Sequence, residues 1–387
     1  MRTVVVTGIA GVVGSRVGDL LRAEGTRVVG VDLPAALPDG PAAAPRPERY
    51  GKADDRFQGR EAGAPPPNDG SEPAADQLVG LDLAEADGES LTQVAAGADA
   101  IVHLAWQIPD APEAHPRARQ ANEDNVRGLT SVLEAAHAAE VSSVILVSSA
   151  TVYGAWPDNP VPLSEDAPLR PNPAFAFAVG KAEAERLLAE WADKHPDVKV
   201  AVLRPAVTVG GVERPLYQAL GGTRAPRGAD DSRPVQYLHV DDLASALMVV
   251  LDGHLEGVFN VAPDAGIRED TARALAGGLA RVALPARLAG AVAAWTWELW
   301  RSGIPKEALP YSLHPWVIAS DRLRAQGWRP RYSSEEALVA TDIRPHWDDL
   351  PPGRRQNYTL AAIAAGGAVV IGGALAGGIV FLRRRQS

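Results

Sequence analysis

The sequence predicts an α/β fold in which a doubly wound parallel sheet carries helices on both faces. Short apolar runs alternate with longer segments of helical period, which is typical of βαβ units. The runs are apolar at every position, as in strands that are buried on both faces. The chain has 387 residues, enough for one large α/β domain with a smaller C-terminal lobe.

Five apolar runs are the predicted strands, and the segments between them supply the predicted helices. The strands are residues 4–6, 28–31, 101–104, 144–147 and 200–203. The helices are residues 13–23, 126–139 and 181–194. Because the two kinds of element alternate, consecutive strands are expected to lie parallel.

Composition excludes several classes of function. The net charge of −10 argues against a nucleic-acid partner, because phosphate binding needs basic patches. The chain has no cysteine, which excludes disulfides, thiolate catalysis and cysteine metal ligands. The first residues, MRTVVV, lack the apolar segment of a signal peptide. We therefore expect the folded part in the cytoplasm.

A glycine-rich segment, TGIAGVVG from Thr7 to Gly14, follows the first predicted strand and opens the first helix. Its glycines, Gly8, Gly11 and Gly14, permit a tight turn, a close backbone approach to a pyrophosphate, and close helix–strand packing. The N-terminus of the helix offers unpaired N–H groups to the phosphates. This context predicts a Rossmann fold that binds a dinucleotide.

Asp32 stands at the end of the second predicted strand. A carboxylate at this place accepts hydrogen bonds from the adenosine ribose hydroxyls and repels a 2′-phosphate. The sequence therefore predicts NAD as the cofactor, and NADP less readily.

Further motifs follow in order along the chain. They are Asp82-Leu83, VHLA at 102–105, NVRG at 125–128, SSATVYG at 148–154, LRP at 203–205 and HVDDL at 239–243. Together they resemble the NAD-dependent epimerase/dehydratase branch of the extended short-chain dehydrogenase/reductase superfamily, over residues 1 to about 345. With the glycines, the resemblance implies these cofactor contacts: Gly8, Gly11, Val12, Val13, Gly14, Asp32, Asp82, Leu83, Leu104, Ala105, Lys181 and Ala206.

The resemblance also implies a catalytic serine, tyrosine and lysine. In that family the tyrosine, four residues before the lysine, moves the proton while the cofactor takes or gives hydride. The lysine holds the nicotinamide ribose and lowers the pKa of the tyrosine. Ser149 fits the serine and Lys181 fits the lysine, but the tyrosine position is Phe177, which has no exchangeable proton.

Two interpretations of Phe177 stay open. In the first, another group supplies the proton: Tyr153, a relay through Ser149 and water, or a residue of the substrate lobe. Tyr153 also belongs to a segment that active members keep, so it is equally interpreted as packing beside the site. In the second interpretation, hydride chemistry has been lost and an NAD-responsive binding module remains.

Other polar residues have structural interpretations. His103 ends a strand and is predicted to pack or to support a turn. His239, with Asp241 and Asp242, belongs to a family signature that holds the substrate lobe against the core, so no metal site is predicted.

Charged residues of the same region are predicted to be structural or solvated. Glu183 and Glu185 are expected on a solvated helix face. Arg204 is expected to be structural, because it stands beside Pro205 at a strand end, although Arg204 and Arg233 both suit an anionic substrate.

The predicted domain organisation follows from changes in composition. Residues 1–262 form the NAD-binding domain, with a disordered insertion at 34–75 that is rich in Pro, Gly, Ala and charge. Residues 206–233 contribute to the substrate lobe, which occupies 263–341. A Pro-containing linker at 342–357 precedes a predicted transmembrane helix at 358–382.

The predicted transmembrane helix has no charged residue and is closed by three arginines. About 20 apolar residues span a bilayer as a helix, so we expect a single-pass anchor with the body in the cytoplasm. Gly373 and Gly377 form a small-xxx-small pair, which leaves a homodimer as an open alternative. The Trp-rich stretch 295–300 is expected to pack in the lobe or to lie at the membrane interface.

Two functions are therefore predicted. The first is a membrane-tethered, NAD-binding oxidoreductase that acts on a small hydroxyl or carbonyl substrate: a sugar nucleotide, a steroid or a lipid-linked compound. The second is a catalytically impaired NAD-binding scaffold or sensor that recruits partners at the membrane. Phe177 favours the second function, and retention of Ser149 and Lys181 favours the first.

Overall fold

One parallel sheet of seven strands organises the part of the chain that the structure describes. A computed structural model describes residues 1–37, 74–108, 116–210, 220, 234–264, 266–275 and 306–340. The described strands are β1 (Thr3–Thr7), β2 (Arg27–Asp32), β3 (Gln77–Gly80), β4 (Ala100–His103), β5 (Ser143–Val147), β6 (Lys199–Pro205), β7 (Val207–Val209), β8 (Pro234–Val235), β9 (Tyr237–His239), β10 (Gly257–Val261) and β11 (Ile267–Arg268). Four of them lie outside this sheet, where β7 pairs with β9 and β8 with β11.

The strand order in this sheet is β10-β6-β5-β4-β1-β2-β3, and every neighbouring pair is parallel. The order runs outward from β1 in both directions, so β1 and β4 are neighbours at the point where the direction of winding reverses. In open α/β sheets, ligands bind in the crevice at the carboxyl ends of the strands at this point. The topology therefore fixes where a site is expected.

Helices cover both faces of the sheet. They are α1 (Val12–Ala23), α2 (Gly88–Ala95), α3 (Pro116–Ala138), α4 (Ala176–Ala192), α5 (Val240–Asp252), α6 (Glu269–Leu275), α7 (Leu309–Leu313), α8 (Asp321–Ala325) and α9 (Ser334–Ala340). Helices α2, α3 and α4 pack side by side over Val5, Ile101 and Val144 of the sheet. Helix α1 packs against α5, and these two cover the opposite face.

The five predicted strands are confirmed as the centre of the sheet, whereas its two edge strands were not predicted. Strand β3 reads QLVG and is exposed at both ends, and β10 begins with an exposed glycine, so neither forms a long apolar run. Helix α3 begins at Pro116, ten residues before the predicted start at 126. Its first turns, PRARQANEDN, are polar and carry little apolar periodicity.

The C-terminal part of the described chain is fastened to α5 through Asp242. Its buried carboxylate accepts the backbone N–H groups of Arg331, at 2.7 Å, and Tyr332, at 3.1 Å. His239 accepts the N–H of Asp241 at the start of α5, and its ring lies 4.1 Å from that of Tyr332. The predicted structural role of the HVDDL signature is confirmed. In the described ranges, no group of metal-ligating side chains is arranged to hold an ion.

Several predictions concern residues outside the described ranges. The insertion at 34–75 is described only at its ends, where the prediction of disorder is wrong. Pro34–Ala36 forms a 3-10 helix, and Ala74 and Ala75 are buried against the core, where Ala74 contacts α1. The Trp-rich stretch, the linker and the tail at 358–382 lie outside the described residues. None of the helices that are described combines the length and apolarity needed to cross a bilayer.

Candidate functional site

A cavity of about 880 Å³ opens at the carboxyl ends of β1, β2, β4, β5 and β6. This size falls within the range of roughly 300–1,000 Å³ that small-molecule sites occupy. The structure brings the sequence-predicted cofactor contacts together around the cavity: Gly8, Gly11, Val12, Val13, Gly14, Asp32, Asp82, Leu83, Leu104, Ala105, Lys181 and Ala206. The cavity therefore lies where the strand order predicts a ligand.

The turn between β1 and α1 forms a cradle of backbone. Gly8 has φ +74°, and a Cβ there would lie 2.8 Å from the backbone N of Ala105. A Cβ at Gly14 would lie 2.1 Å from the carbonyl oxygen of Gly8, so only glycine lets α1 begin this close to the turn. The first N–H groups of a helix lack intrahelical partners. Here Val12 and Val13 line the cavity, where these donors suit a pyrophosphate.

Asp32 stands beside the cradle at the end of β2. Its Oδ2 accepts the N–H of Ala10, and its Oδ1 accepts the N–H of Leu33, both at 2.8 Å. Burial raises the pKa of Asp32, and these two hydrogen bonds oppose the shift. Each carboxylate oxygen has a second lone pair. The carboxylate is therefore held rigidly while it can still accept hydrogen bonds from a ribose.

Three predicted catalytic positions also line the cavity: Ser149, Phe177 and Lys181. Ser149 caps the 3-10 helix Ala150–Tyr153, and its Oγ accepts from the N–H and the hydroxyl of Thr151, at 3.2 and 3.0 Å. Phe177 lies in the first turn of α4 and Lys181 one turn later. Phe177 therefore presents to the cavity a benzyl ring, which has no exchangeable proton.

Lys181 is a buried cation without a carboxylate partner of its own among the described residues. Its Nζ donates to the carbonyl of Val147 at 2.9 Å and lies 3.8 Å from the ring centroid of Trp106. Burial lowers the pKa of Lys181 to about 7, although the charge of Glu185 opposes this. The side chain is therefore poised between its two protonation states near neutral pH.

Glu185 is the clearest correction to the sequence-based predictions. It is buried rather than solvated, and it forms an ion pair with Arg204, with Nη2 and Oε2 2.6 Å apart. Ser148 also donates its hydroxyl proton to Glu185. Glu183 is exposed as predicted, and the structural role predicted for Arg204 is confirmed. The helix pattern could not reveal Glu185, because its partner is on β6.

Tyr153 is not among the described residues that line the cavity, which weighs against the alternative in which it supplies the missing proton. Its hydroxyl donates to Oδ1 of Asn260 at 2.8 Å and accepts from Nη1 of Arg204 at 2.7 Å. The side chain is 1% exposed, and burial raises its pKa. Tyr153 is therefore held in a buried network behind the site, as its packing interpretation predicts.

Two aromatic residues lie at the end of β4 and just beyond it: His103, which was predicted to pack, and Trp106, whose role was not predicted. His103 is buried, and its Nδ1 lies 2.9 Å from Oγ1 of Thr7, as a packing residue should. Burial and the nearby charge of Lys181 lower the pKa of His103 to about 3, so its ring is neutral. Trp106 follows on the cavity wall against Lys181. No motif predicted Trp106, since only the fold places its ring beside α4.

The fold and the site together define a dinucleotide-binding protein of the short-chain dehydrogenase type. Residues 4–262 match the model of the NAD dependent epimerase/dehydratase family, and the chain belongs to that family. NAD is the cofactor of this family. Its pyrophosphate and its adenosine ribose fit the glycine cradle and the Asp32 carboxylate described above.

Two curated proteins are similar in sequence to different fractions of this chain. An uncharacterized protein of Mycobacterium tuberculosis (strain ATCC 25618 / H37Rv) is 26% identical over 222 residues, which are 55% of this chain and 57% of that protein. The chain thus spans little more than half the length of this curated relative. The 3-diazoavenalumate denitrifying reductase of Streptomyces sp is 28% identical over 287 residues, 68% of this chain and 85% of the reductase.

A solved structure shows the same fold. The UDP-glucose 4-epimerase of Thermus thermophilus, crystallised in complex with NAD, superposes with a TM-score of 0.61 at 22% identity. The match covers 88% of this chain and 99% of the epimerase.

Proposed function

We propose that this chain is an NAD-dependent oxidoreductase of the epimerase/dehydratase type, acting on a hydroxyl or carbonyl group of a small molecule. The observation that carries the proposal is the single cavity wall shared by the glycine cradle, Asp32, Ser149 and Lys181. Bound NAD supplies or accepts the hydride. The remaining chemistry, which is binding, orientation and proton transfer, belongs to the side chains.

Each part of the wall has a separate task in the proposal. The cradle and the N-terminus of α1 bind the pyrophosphate, and Asp32 accepts the adenosine ribose hydroxyls. Lys181 donates to the nicotinamide ribose. Ser149 already accepts two hydrogen bonds from Thr151, so its own hydroxyl proton is left to be donated to the substrate oxygen.

The substrate class remains a sugar nucleotide, a steroid or a lipid-linked compound. The epimerase of similar fold suggests the first of these. The cavity wall carries three aromatic side chains, Trp106, Phe177 and Trp316. Large apolar rings supply contact area to a flat or cyclic substrate, which favours a substrate whose reacting part is a ring.

A second candidate function is an NAD-binding scaffold without turnover. Phe177 is the observation that favours it, because this side chain lines the cavity and offers no proton. The two functions share the cofactor and differ in turnover. Reduction of any carbonyl compound by the wild-type chain with NADH would decide for the enzyme.

Membrane tethering is a further part of the proposal. Its support is the uncharged run at 358–382, which is long enough to cross a bilayer and ends in three arginines. The full chain should sediment with membranes and resist extraction at alkaline pH. Introducing two charges, as Val370→Arg with Ile371→Arg, should release it, while Val339→Arg on an exposed position of α9 should not. Release of the unaltered chain at alkaline pH would exclude the anchor.

Calorimetric titration of the full chain tests the core of the proposal. NAD+ should bind in preference to NADP+, and Asp32→Ala should weaken NAD+ binding while it reduces the discrimination against NADP+. The matched control is Asp197→Ala, an exposed position away from the cavity, which should bind NAD+ as the wild type does. Failure of both dinucleotides to bind would refute the proposed function.

A further inference from the structure

The face of α4 toward the cavity lacks the expected acid but keeps another titratable group. Phe177, Lys181 and Glu185 are spaced by four residues, so they lie one above another on this face. Phe177 carries no proton, and Glu185 is committed to Arg204 and Ser148. Lys181 is therefore the one group of this stripe with a proton to exchange at the cavity.

The surroundings of Lys181 favour proton exchange rather than a permanent charge. Its Nζ has a carbonyl partner, Val147, and an aromatic partner, the ring of Trp106 at 3.8 Å. The charged or titratable groups nearby do not neutralise it. His103 on β4 is neutral, and Glu185 is paired with Arg204. Desolvation without a counter-charge lowers the pKa of a lysine, here to about 7, which is near the optimum for acid–base catalysis.

We propose that Lys181, in addition to its contact with the nicotinamide ribose, itself exchanges the proton with the substrate oxygen, since an ammonium has three N–H donors. In this proposal Trp106 is the positioning residue that holds the Lys181 Nζ at the cavity wall. This inference rests on the proposed function, since it assigns the proton-transfer step of that site. The indole holds the ammonium by a cation–π interaction and keeps water from it. Trp106 lies against Lys181, and Phe177 adds a second apolar ring to the same cavity wall.

The chemistry balances in either direction. In reduction, a C–H bond forms at the carbonyl carbon with the hydride from reduced NAD, and the carbonyl oxygen takes a proton as the N–H bond of the Lys181 ammonium breaks. The products are the alcohol, oxidised NAD and a neutral amine, which solvent protonates again. In oxidation, the neutral amine takes the hydroxyl proton as the hydride leaves carbon.

The first measurement is the pKa of Lys181 in the full chain. The chain has five lysines, Lys52, Lys181, Lys194, Lys199 and Lys306, so the ε-carbon NMR signals of 13C-labelled lysine are few, and Lys181→Arg assigns the signal of interest. We expect the Lys181 signal to titrate near pH 7. Trp106→Ala should shift the Lys181 titration upward, because desolvation is the largest cause of the lowered pKa and its relief outweighs loss of the cation–π contact. Titration of Lys181 near 10 in the unaltered chain would overturn the inference.

The second measurement is reduction of a probe carbonyl, 4-nitrobenzaldehyde, with NADH over a range of pH. The wild-type rate should fall as pH rises above about 7, because the ammonium form is the acid. Lys181→Arg keeps a cation but cannot release its proton, so we expect a loss of about 100-fold or more in rate. Lys194→Arg, a matched surface change, should retain the wild-type rate and pH profile.

Phe177→Tyr separates failure of the inference from failure of the proposed function. It supplies the usual phenol, so it should reduce the probe to higher pH than the wild type does. If Phe177→Tyr reduced the probe and the wild type did not, the proposed role of Lys181 would be overturned. The same conclusion would follow if Lys181→Arg reduced the probe at the wild-type rate. NADH binding with no turnover in either chain would instead refute the proposed enzyme.

Discussion

We predict that Gly14→Ala lowers both the stability of the chain and its affinity for NAD+, because it adds a methyl group where the backbone leaves no room. The added Cβ would lie 2.1 Å from the carbonyl oxygen of Gly8 and 2.8 Å from Cα of Ile9. Both neighbours are backbone atoms, which no side-chain rotation can move away. The first turn of α1 must therefore shift from β1. Such overpacking costs about 1–3 kcal/mol of folding free energy, and displacement of the helix N-terminus should weaken NAD+ binding by tenfold or more.

The matched control is Gly88→Ala at the first position of α2. A Cβ there meets no atom within 4 Å, and alanine is the better helix former by up to about 1 kcal/mol. Urea unfolding of the full chain, followed by circular dichroism, should give a lower midpoint for Gly14→Ala and an equal or higher one for Gly88→Ala. Calorimetry should show lost affinity only for Gly14→Ala. A Gly14→Ala chain with wild-type stability and NAD+ affinity would refute the close-packed cradle.

Three further predictions address the buried polar groups. Glu185→Gln leaves Arg204 charged and buried, so it should lower the free energy of unfolding in urea by about 3–5 kcal/mol. The exposed control Glu183→Gln should change it by no more than about 0.5 kcal/mol. Equal effects of the two variants would contradict the buried ion pair. The pKa of His103 is about 3 in the folded chain and about 6.5 in the unfolded chain. The free energy of unfolding should therefore fall by ~1.4 kcal/mol per pH unit as the pH drops from 6.5 to 3. His103→Gln should make the free energy of unfolding less dependent on pH in this range. An unchanged slope would count against the neutral buried ring. Tyr153→Phe should reduce the probe carbonyl within a few-fold of the wild-type rate, and a loss of 100-fold would restore Tyr153 as the proton donor.

The central sheet could be predicted from the sequence because its inner strands are buried on both faces. Strands such as β5, with SVILV wholly buried, read as continuous apolar runs. The edges could not be predicted in this way. Strand β3 is half exposed and reads QLVG, which has no clear periodicity. The N-terminal turns of α3 were missed because only two apolar residues, Ala118 and Ala121, stand in their polar sequence.

The cofactor half of the site was predictable because its chemistry is local in sequence. The glycines, the helix start and Asp32 are fixed by one βαβ unit, and the structure brings them to one cavity. The catalytic half depends on contacts between distant elements. Nothing in the sequence around Trp106 shows that its ring lies on Lys181, and nothing around Glu185 shows that Arg204 neutralises it. These pairings arise only when α4 packs on the sheet.

Hydrogen exchange of the full chain with and without NAD+ tests the central claim most directly, because it reports where the dinucleotide lies. The account predicts slower exchange in the peptides that contain Val12 and Val13 at the start of α1 and Leu33 beside Asp32, and unchanged exchange in α2, which lies away from the cavity. Absence of protection at the start of α1, or protection confined to other segments, would contradict the assignment of this cavity to NAD.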